Sequence, residues 1–142
     1  MAELNLVEKV IALEAVDLLA KLKPDQLARI ASIAKQTQHR PGELILDAAQ
    51  PSDALYVILD GEVAIDRDGE TLHTAKQYEV LGAWALFDED PLPVGAKAVT
   101  DVSLLRIGRD DFYDLLSDNV EITAAIFSTL VKRFRKLVEA AP

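Results

Sequence analysis

The chain has no cysteine, one tryptophan, one methionine and only six glycines and six prolines in 142 residues. The missing thiols exclude disulfides, cysteine nucleophiles, iron–sulfur clusters and cysteine zinc sites. Long apolar runs are missing too. Glu3, Glu8, Glu14, Asp17 and Asp25 interrupt the N-terminal stretch, so no signal peptide or membrane span is expected there. With nothing calling for an oxidising compartment, a reducing, cytoplasmic setting is the expectation. Positive charge is scarce: 15 Lys and Arg stand against 24 Asp and Glu, a formal net charge of −9. Such a balance repels nucleic acid at long range, because DNA binding rests on neutralising phosphates with Lys and Arg.

Catalytic signatures are also lacking. The sequence holds no Cys–His pair, no Gly-x-Ser-x-Gly elbow, no Walker-type loop and no His-Glu-x-x-His, so no enzyme is expected. The acid runs Asp110-Asp111 and Asp88-Glu89-Asp90 read as solvent-facing, the first at a helix start where acids are favourable. His39 and His73 have no companions at metal-ligand spacing and read as ordinary strand or turn residues. No metal and no cofactor is expected.

What is present is ordinary for a globular domain: 50% hydrophobic and 27% charged residues, in a length that suits one domain with a real core. Leu6, Val10, Ile11 and Leu13 support a first helix, and Val16, Leu18, Leu19 and Leu22 continue the apolar content. Pro24 sits where a first helical turn tolerates proline. Leu27, Ile30, Ala31 and Ile33 then make one stripe of a helix over 25–34. After His39 the period changes. Arg40-Pro41-Gly42-Glu43 reads as a turn and Leu44 to Leu46 as a short strand. The run ALYVILD (54–60) is rich in strand formers and ends at Asp60-Gly61, a strong hairpin signal. Residues 62–66 and 70–75 alternate around a second turn at Asp68-Gly69. Two more strands are expected over 96–100 and 102–107. Helices return over 110–116 and 120–138. In the longer one Ile122, Ile126, Leu130, Phe134 and Leu137 form an apolar face, widened by Phe127 and Val131.

Short strands at roughly ten-residue spacing argue for a small antiparallel barrel or jelly roll. Helices, an all-β body, then helices make an α+β domain. The expected division is N-terminal helices over 5–34, a β-barrel over 35–108 and C-terminal helices over 109–139, all one domain. Lys132, Arg133, Arg135 and Lys136 form a local basic cluster, read as a solvated face near a helix C-terminus, where cations suit the macrodipole.

KLKPDQLARIA, RPGELI, SDALYVILDGEVAI and LLRIGRDDFYDLLSDN occur in that order, and together the chain resembles the cyclic-nucleotide-binding domain of the bacterial catabolite activators and protein kinase A regulatory subunits. The likeness runs from about Ala15 to about Arg135. It implies a jelly roll of the double-stranded β-helix type, flanked by N-terminal helices and a long C-terminal helix. It also places a phosphate-binding cassette at 81–96. The family pattern there is Phe-Gly-Glu, an aliphatic residue, Ala-Leu, a variable turn and Arg-Ser-Ala. The glutamate takes the ribose hydroxyl and the arginine pairs with the cyclic phosphate, an anion site of a helix N-terminus plus one guanidinium.

In this sequence the cassette reads Leu81, Gly82, Ala83, Trp84, Ala85 and Leu86, and later Leu92, Pro93 and Val94. Ala83 stands at the glutamate position and Leu92 at the arginine position, while Pro93 lacks a hydroxyl and a backbone donor. Losing the charge-assisted arginine contact alone costs roughly 1.5–3 kcal/mol. Both losses together weaken binding by roughly two to four powers of ten. The loop positions where the family often has glycine are Ala49 and Ser52, while Gly42, Gly61 and Gly82 sit at predicted turns. The expectation is a regulatory domain that has lost ordinary cAMP or cGMP binding, its pocket closed by Leu92, Val94 and Trp84.

The alternative is a divergent sensor of a cyclic nucleotide or another small ligand in the same pocket. Under it Lys97 is the first substitute cation, although the alternation Ala96-Lys97-Ala98 favours an exposed lysine. Trp84 is either an aromatic covering the pocket or a stacking platform for a flat ring. A protein partner, or a second copy, is expected on the C-terminal helix through Ile126, Leu130, Phe134 and Leu137. That face alternatively packs wholly onto the strands. No DNA-reading helix-turn-helix follows before Pro142, so this stretch alone is not expected to bind DNA, and it is compatible with a fragment of a longer regulatory or membrane-associated protein.

Overall fold

Asn5 decides where the first helix begins. In the computed structural model, which describes residues 1–83 and 94–142, the Asn5 side chain accepts from the Glu8 N–H at 2.8 Å, and Glu8 returns the contact to the Asn5 N–H at 3.1 Å. This reciprocal cap satisfies two N–H groups that the first turn leaves free, and α1 runs over Leu6–Glu14. A single 3-10 turn, Asp17–Leu19, follows. Pro24 then opens α2 (Pro24–Ile33), whose buried residues include Leu27, Ile30 and Ala31. The predicted apolar stripe is the packed one.

The chain leaves α2 directly into β1 (Ala34–His39), a strand the apolar pattern does not announce because its residues read AKQTQH. It is held by pairing along its whole length with β8 (Val102–Gly108). A side chain of this strand meets the chain's own first residues: the Gln36 amide accepts from the Leu4 N–H at 2.7 Å and donates to the Ala2 carbonyl at 3.1 Å. The remaining described strands are β2 (Leu44–Leu46), β3 (Ala54–Asp60), β4 (Val63–Arg67), β5 (Glu70–Ala75), β6 (Val80–Leu81) and β7 (Gly95–Ala98). They form two antiparallel four-stranded sheets, β1-β8-β3-β6 and β2-β7-β4-β5. This is the jelly-roll architecture expected from the strand spacing.

One turn does a different job from the predicted one. Asp60-Gly61 does not join a hairpin: β3 pairs with β6 and β8, while β4 pairs with β5 and β7. An Asp-Gly pair reports a backbone that needs positive φ, and here that backbone carries the chain from one sheet to the other. Gly61 has φ +96°, and a Cβ there would overlap the Asp101 carbonyl oxygen and stand 2.9 Å from Val102 Cγ2. The Asp68-Gly69 turn, by contrast, closes the β4–β5 hairpin as expected.

Two apolar layers result. Leu55, Val57, Leu59, Leu105 and Ile107 face the helices and pack on Leu13, Leu27, Ile30 and Phe112. Ile58, Val63, Leu81, Ala96, Ala98 and Leu104 fill the space between the sheets. The strand period of two makes this division, sending alternate residues of β3 and β8 into opposite layers.

After β8 come α3 (Arg109–Asp118) and α4 (Val120–Ala140). The buried residues of α4 lie in its first two turns: Ile122 and Ile126 are buried, while Phe127, Phe134 and Leu137 are 57%, 68% and 72% exposed. The predicted apolar face is therefore divided, covered at one end and open at the other. No described helix is long and apolar enough to cross a membrane.

Candidate functional site

The cassette begins on β6. Tyr56 and Val57 of β3 pair with Leu81 and Val80, which fixes where the chain turns away from the sheet. Leu81 is buried, Gly82 lies with its Cα side against the Ala54 carbonyl and the Leu46 side chain, and Ala83 is half-buried. At the far end Val94 is half-buried and Gly95 faces the Leu46 carbonyl. Both ends of the segment therefore converge on Leu46 of β2. Trp84, Ala85, Leu86, Leu92 and Pro93 lie outside the described residues.

The wall between the two sheets is apolar. Leu46, Ile58, Val63, Ala75, Leu81, Ala96 and Ala98 line it. Among the described residues no charged side chain is buried; the buried polar ones are Gln26 and Ser103. Lys97 is exposed between buried Ala96 and Ala98, so its side chain stands on the outer face of β7. The alternation read from the sequence places it there.

A cation that the sequence reading missed shares a row with the start of the cassette. The register aligns Arg106 of β8, Tyr56 of β3 and Leu81 of β6 in one row across the sheet. Arg106 alternates with Leu104 and Val102, both in the layer between the sheets, so it shares their face at the mouth of the barrel. Its guanidinium donates to Asp53 Oδ1 at 3.1 Å. Partial burial alone would lower the Arg106 pKa; the hydrogen bond to Tyr56 and the Asp53 carboxylate outweigh it and hold the pKa above its ordinary value. Arg109 ties down the same loop, with its N–H on the Asp53 carbonyl at 2.8 Å and its side chain on the Ser52 carbonyl at 3.0 Å. The alternation along VSLLRIG carried the signal for Arg106, hidden inside a run that reads as core.

Outside the barrel a cavity of about 520 Å³ adjoins Ala83, between α4, the 3-10 turn and the strand approach to the cassette. Leu18, Tyr78, Val80 and Leu130 give it apolar walls, and Asp17 and Arg133 stand at its rim, paired at 3.2 Å. Tyr78 adopts φ +68°, a left-handed backbone that a bulky residue seldom takes. Its N–H is bonded to the Ile58 carbonyl at 2.7 Å. Next to it Glu79 accepts from the Lys76 N–H at 2.6 Å and meets His73 Nε2 at 2.8 Å. Burial would raise the Glu79 pKa, but these hydrogen bonds and the His73 charge outweigh it and lower the pKa.

The fold agrees with comparisons to known proteins. The family model described as "Cyclic nucleotide-binding domain" matches residues 36–119. The cAMP-dependent protein kinase regulatory subunit of Emericella nidulans is 35% identical over 106 residues, 73% of this chain and 26% of its own length. The CRP-like cAMP-activated global transcriptional regulator of Mycobacterium tuberculosis is 30% identical over 115 residues, 75% of this chain and 51% of its own. The chain thus spans about a quarter of the kinase regulatory subunits it matches and about half of that regulator. Among solved structures, the N-terminal domain of a transcriptional regulator from Streptomyces coelicolor A3(2) superimposes with a TM-score of 0.84 at 28% identity. That alignment covers 92% of this chain and 97% of the other. By matched span and by fold, the chain belongs to the cyclic nucleotide-binding domain family.

Proposed function

We propose that this domain has kept the regulatory scaffold of its family and lost ordinary cAMP and cGMP binding, acting instead as a signalling or protein-interaction module. The observation that carries the reading is the pair Ala83 and Leu92, at the positions where the family's pattern has glutamate and arginine. An apolar wall without a buried charge supports it: Lys97 stands on the outer face of β7, and Arg106 is already engaged by Asp53 and Tyr56. A cyclic phosphate taken from water into that wall would keep little of its hydration and gain few donors. The exposed half of α4, with Leu130, Phe134 and Leu137, is the surface offered to a protein partner or a second copy.

Isothermal titration with cAMP and cGMP tests this reading. The expected trace is flat at micromolar ligand. In Ala83→Glu with Leu92→Arg, affinity is expected to rise by roughly two to four powers of ten. Micromolar saturation by the unaltered chain refutes the loss.

Arg106 favours a second reading, a divergent sensor whose cation comes from β8 and not from Lys97. It stands in the row that leads into the cassette, whereas Lys97 leaves the barrel on the outer face. Under this reading the unaltered chain binds a cyclic nucleotide, and Arg106→Met abolishes the heat while Lys97→Met leaves it intact.

A further inference from the structure

The basic cluster near the end of the chain is not explained by the helix dipole. α4 continues to Ala140 and its last turn holds no basic residue, so Lys132, Arg133 and Lys136 lie before the turn where C-terminal carbonyls favour cations. They recur at i, i+1 and i+4, and Thr129 completes one face of the helix. Lys21, more than a hundred positions earlier, comes to the same face from the segment after the 3-10 turn and donates to Ser128 Oγ at 2.7 Å. Together these residues, with Asp17 and Ala20, line a cleft of about 230 Å³.

The charge in this cleft runs against the rest of the molecule. Four of the chain's 15 basic residues line it, opposed by the single carboxylate of Asp17, in a protein of net charge −9. Arg133 already holds that carboxylate at 3.2 Å, which leaves Lys21, Lys132 and Lys136 without a carboxylate in the cleft. The Lys21 amine is lowered in pKa, chiefly by its hydrogen bond with Lys132, then by partial desolvation and by the Lys132 charge. Like charges brought this close are relieved by an anion between them. Ions farther than about 8–10 Å are screened at ordinary salt, so the local excess, and not the net −9, is what an anion in the cleft meets.

We propose that the cleft between the 3-10 turn and α4 binds a small polyanion of the diphosphate class, held by Lys21, Lys132 and Lys136. Its concavity and volume suit a compact group with several charges. A duplex or a lipid surface needs a broad basic face, which a net charge of −9 opposes. The site is separate from the cassette, and its existence does not depend on whether the barrel binds a cyclic nucleotide.

The experiment is amide NMR of the full chain titrated with sodium pyrophosphate at constant ionic strength, with chloride as the control. Saturating shifts are expected at residues 20–22 and 128–136, with affinity weakening severalfold as NaCl rises from about 20 to about 200 mM. Lys21→Gln with Lys132→Gln should weaken binding at least tenfold while the thermal midpoint in chloride stays unchanged. If that pair destabilises the fold, Lys136→Gln alone should weaken binding severalfold. Shifts scattered over the surface without saturation, or pyrophosphate affinity unchanged in the variants, overturn the proposal. So does binding of anionic vesicles or duplex DNA with no response to pyrophosphate.

Discussion

Replacing Gly61 by alanine separates the cost of a backbone conformation from the cost of a collision. The residue holds φ +96° where the chain passes from one sheet to the other. A non-glycine residue there stores strain of about 1–3 kcal/mol. The new methyl also strikes the Asp101 carbonyl and comes within 2.9 Å of Val102 Cγ2 and 3.0 Å of Thr100 Oγ1. Val102 is buried and backbone does not yield as a side chain does, so overpacking adds about 1–3 kcal/mol. Gly42 is the internal control: φ is +86°, but nothing lies within 4 Å of its Cβ position. Gly61→Ala should therefore cost about 3–5 kcal/mol and Gly42→Ala about 1–2 kcal/mol. Urea unfolding followed by circular dichroism reads the difference. With a slope of about 2 kcal/mol per molar, the Gly61 variant loses roughly 2 M of midpoint and the control less than about 1 M. Equal losses would show that the sheet-to-sheet passage relaxes around a methyl, and the packing account of this turn would be wrong.

Other perturbations probe separate parts of the molecule. The lowered pKa of Glu79 means that its contribution is fully present above the unfolded carboxylate range and fades as pH falls through the folded value. Glu79→Gln should narrow the stability gap between neutral and acid solution, by no more than about 0.5 kcal/mol, because both Glu79 and His73 are substantially exposed. Chemical unfolding at a series of pH values reads it, and a gap that widens would reverse the sign. Phe134→Asp should leave the thermal midpoint nearly unchanged, because that side chain is 68% exposed. If α4 carries a second copy, the same change should convert dimer to monomer in sedimentation; an unaltered dimer would move the interface elsewhere. Leu105→Ala, at a fully buried position between sheet and helices, should cost about 2–5 kcal/mol in the same urea assay.

The helices were legible because their signals are local: Pro24 opens one, and apolar spacing marks the packed face; the Asn5 cap is equally local but was not read. β1 was not, since AKQTQH offers no apolar alternation and becomes a strand only because β8 lies beside it. Asp60-Gly61 was misread for a related reason. Such a pair specifies a backbone angle, and the partner of the strand that follows is chosen by burial across two sheets. The cassette was read from family likeness alone; of its residues, Leu81 lies on β6 and Val94 stands just before β7. Arg106 escaped because a cation within an apolar run is visible only when register puts Tyr56 and Leu81 beside it.

The pairing of Gln36 with Leu4 and Ala2 has a consequence for handling the protein. A sheet edge with free N–H and C=O groups invites another chain to add itself, and proteins commonly block such edges. Here the guard is the leading segment held beside the edge strand by glutamine side chains, Gln36 and Gln38, the latter donating to the Met1 carbonyl at 3.3 Å. The contacts are few, but the Leu4–Gln36 bond is half-buried and Leu4 packs against the core, so trimming through Leu4 removes the guard and part of that packing. A preparation trimmed there should melt somewhat lower and be the one that forms aggregates on storage.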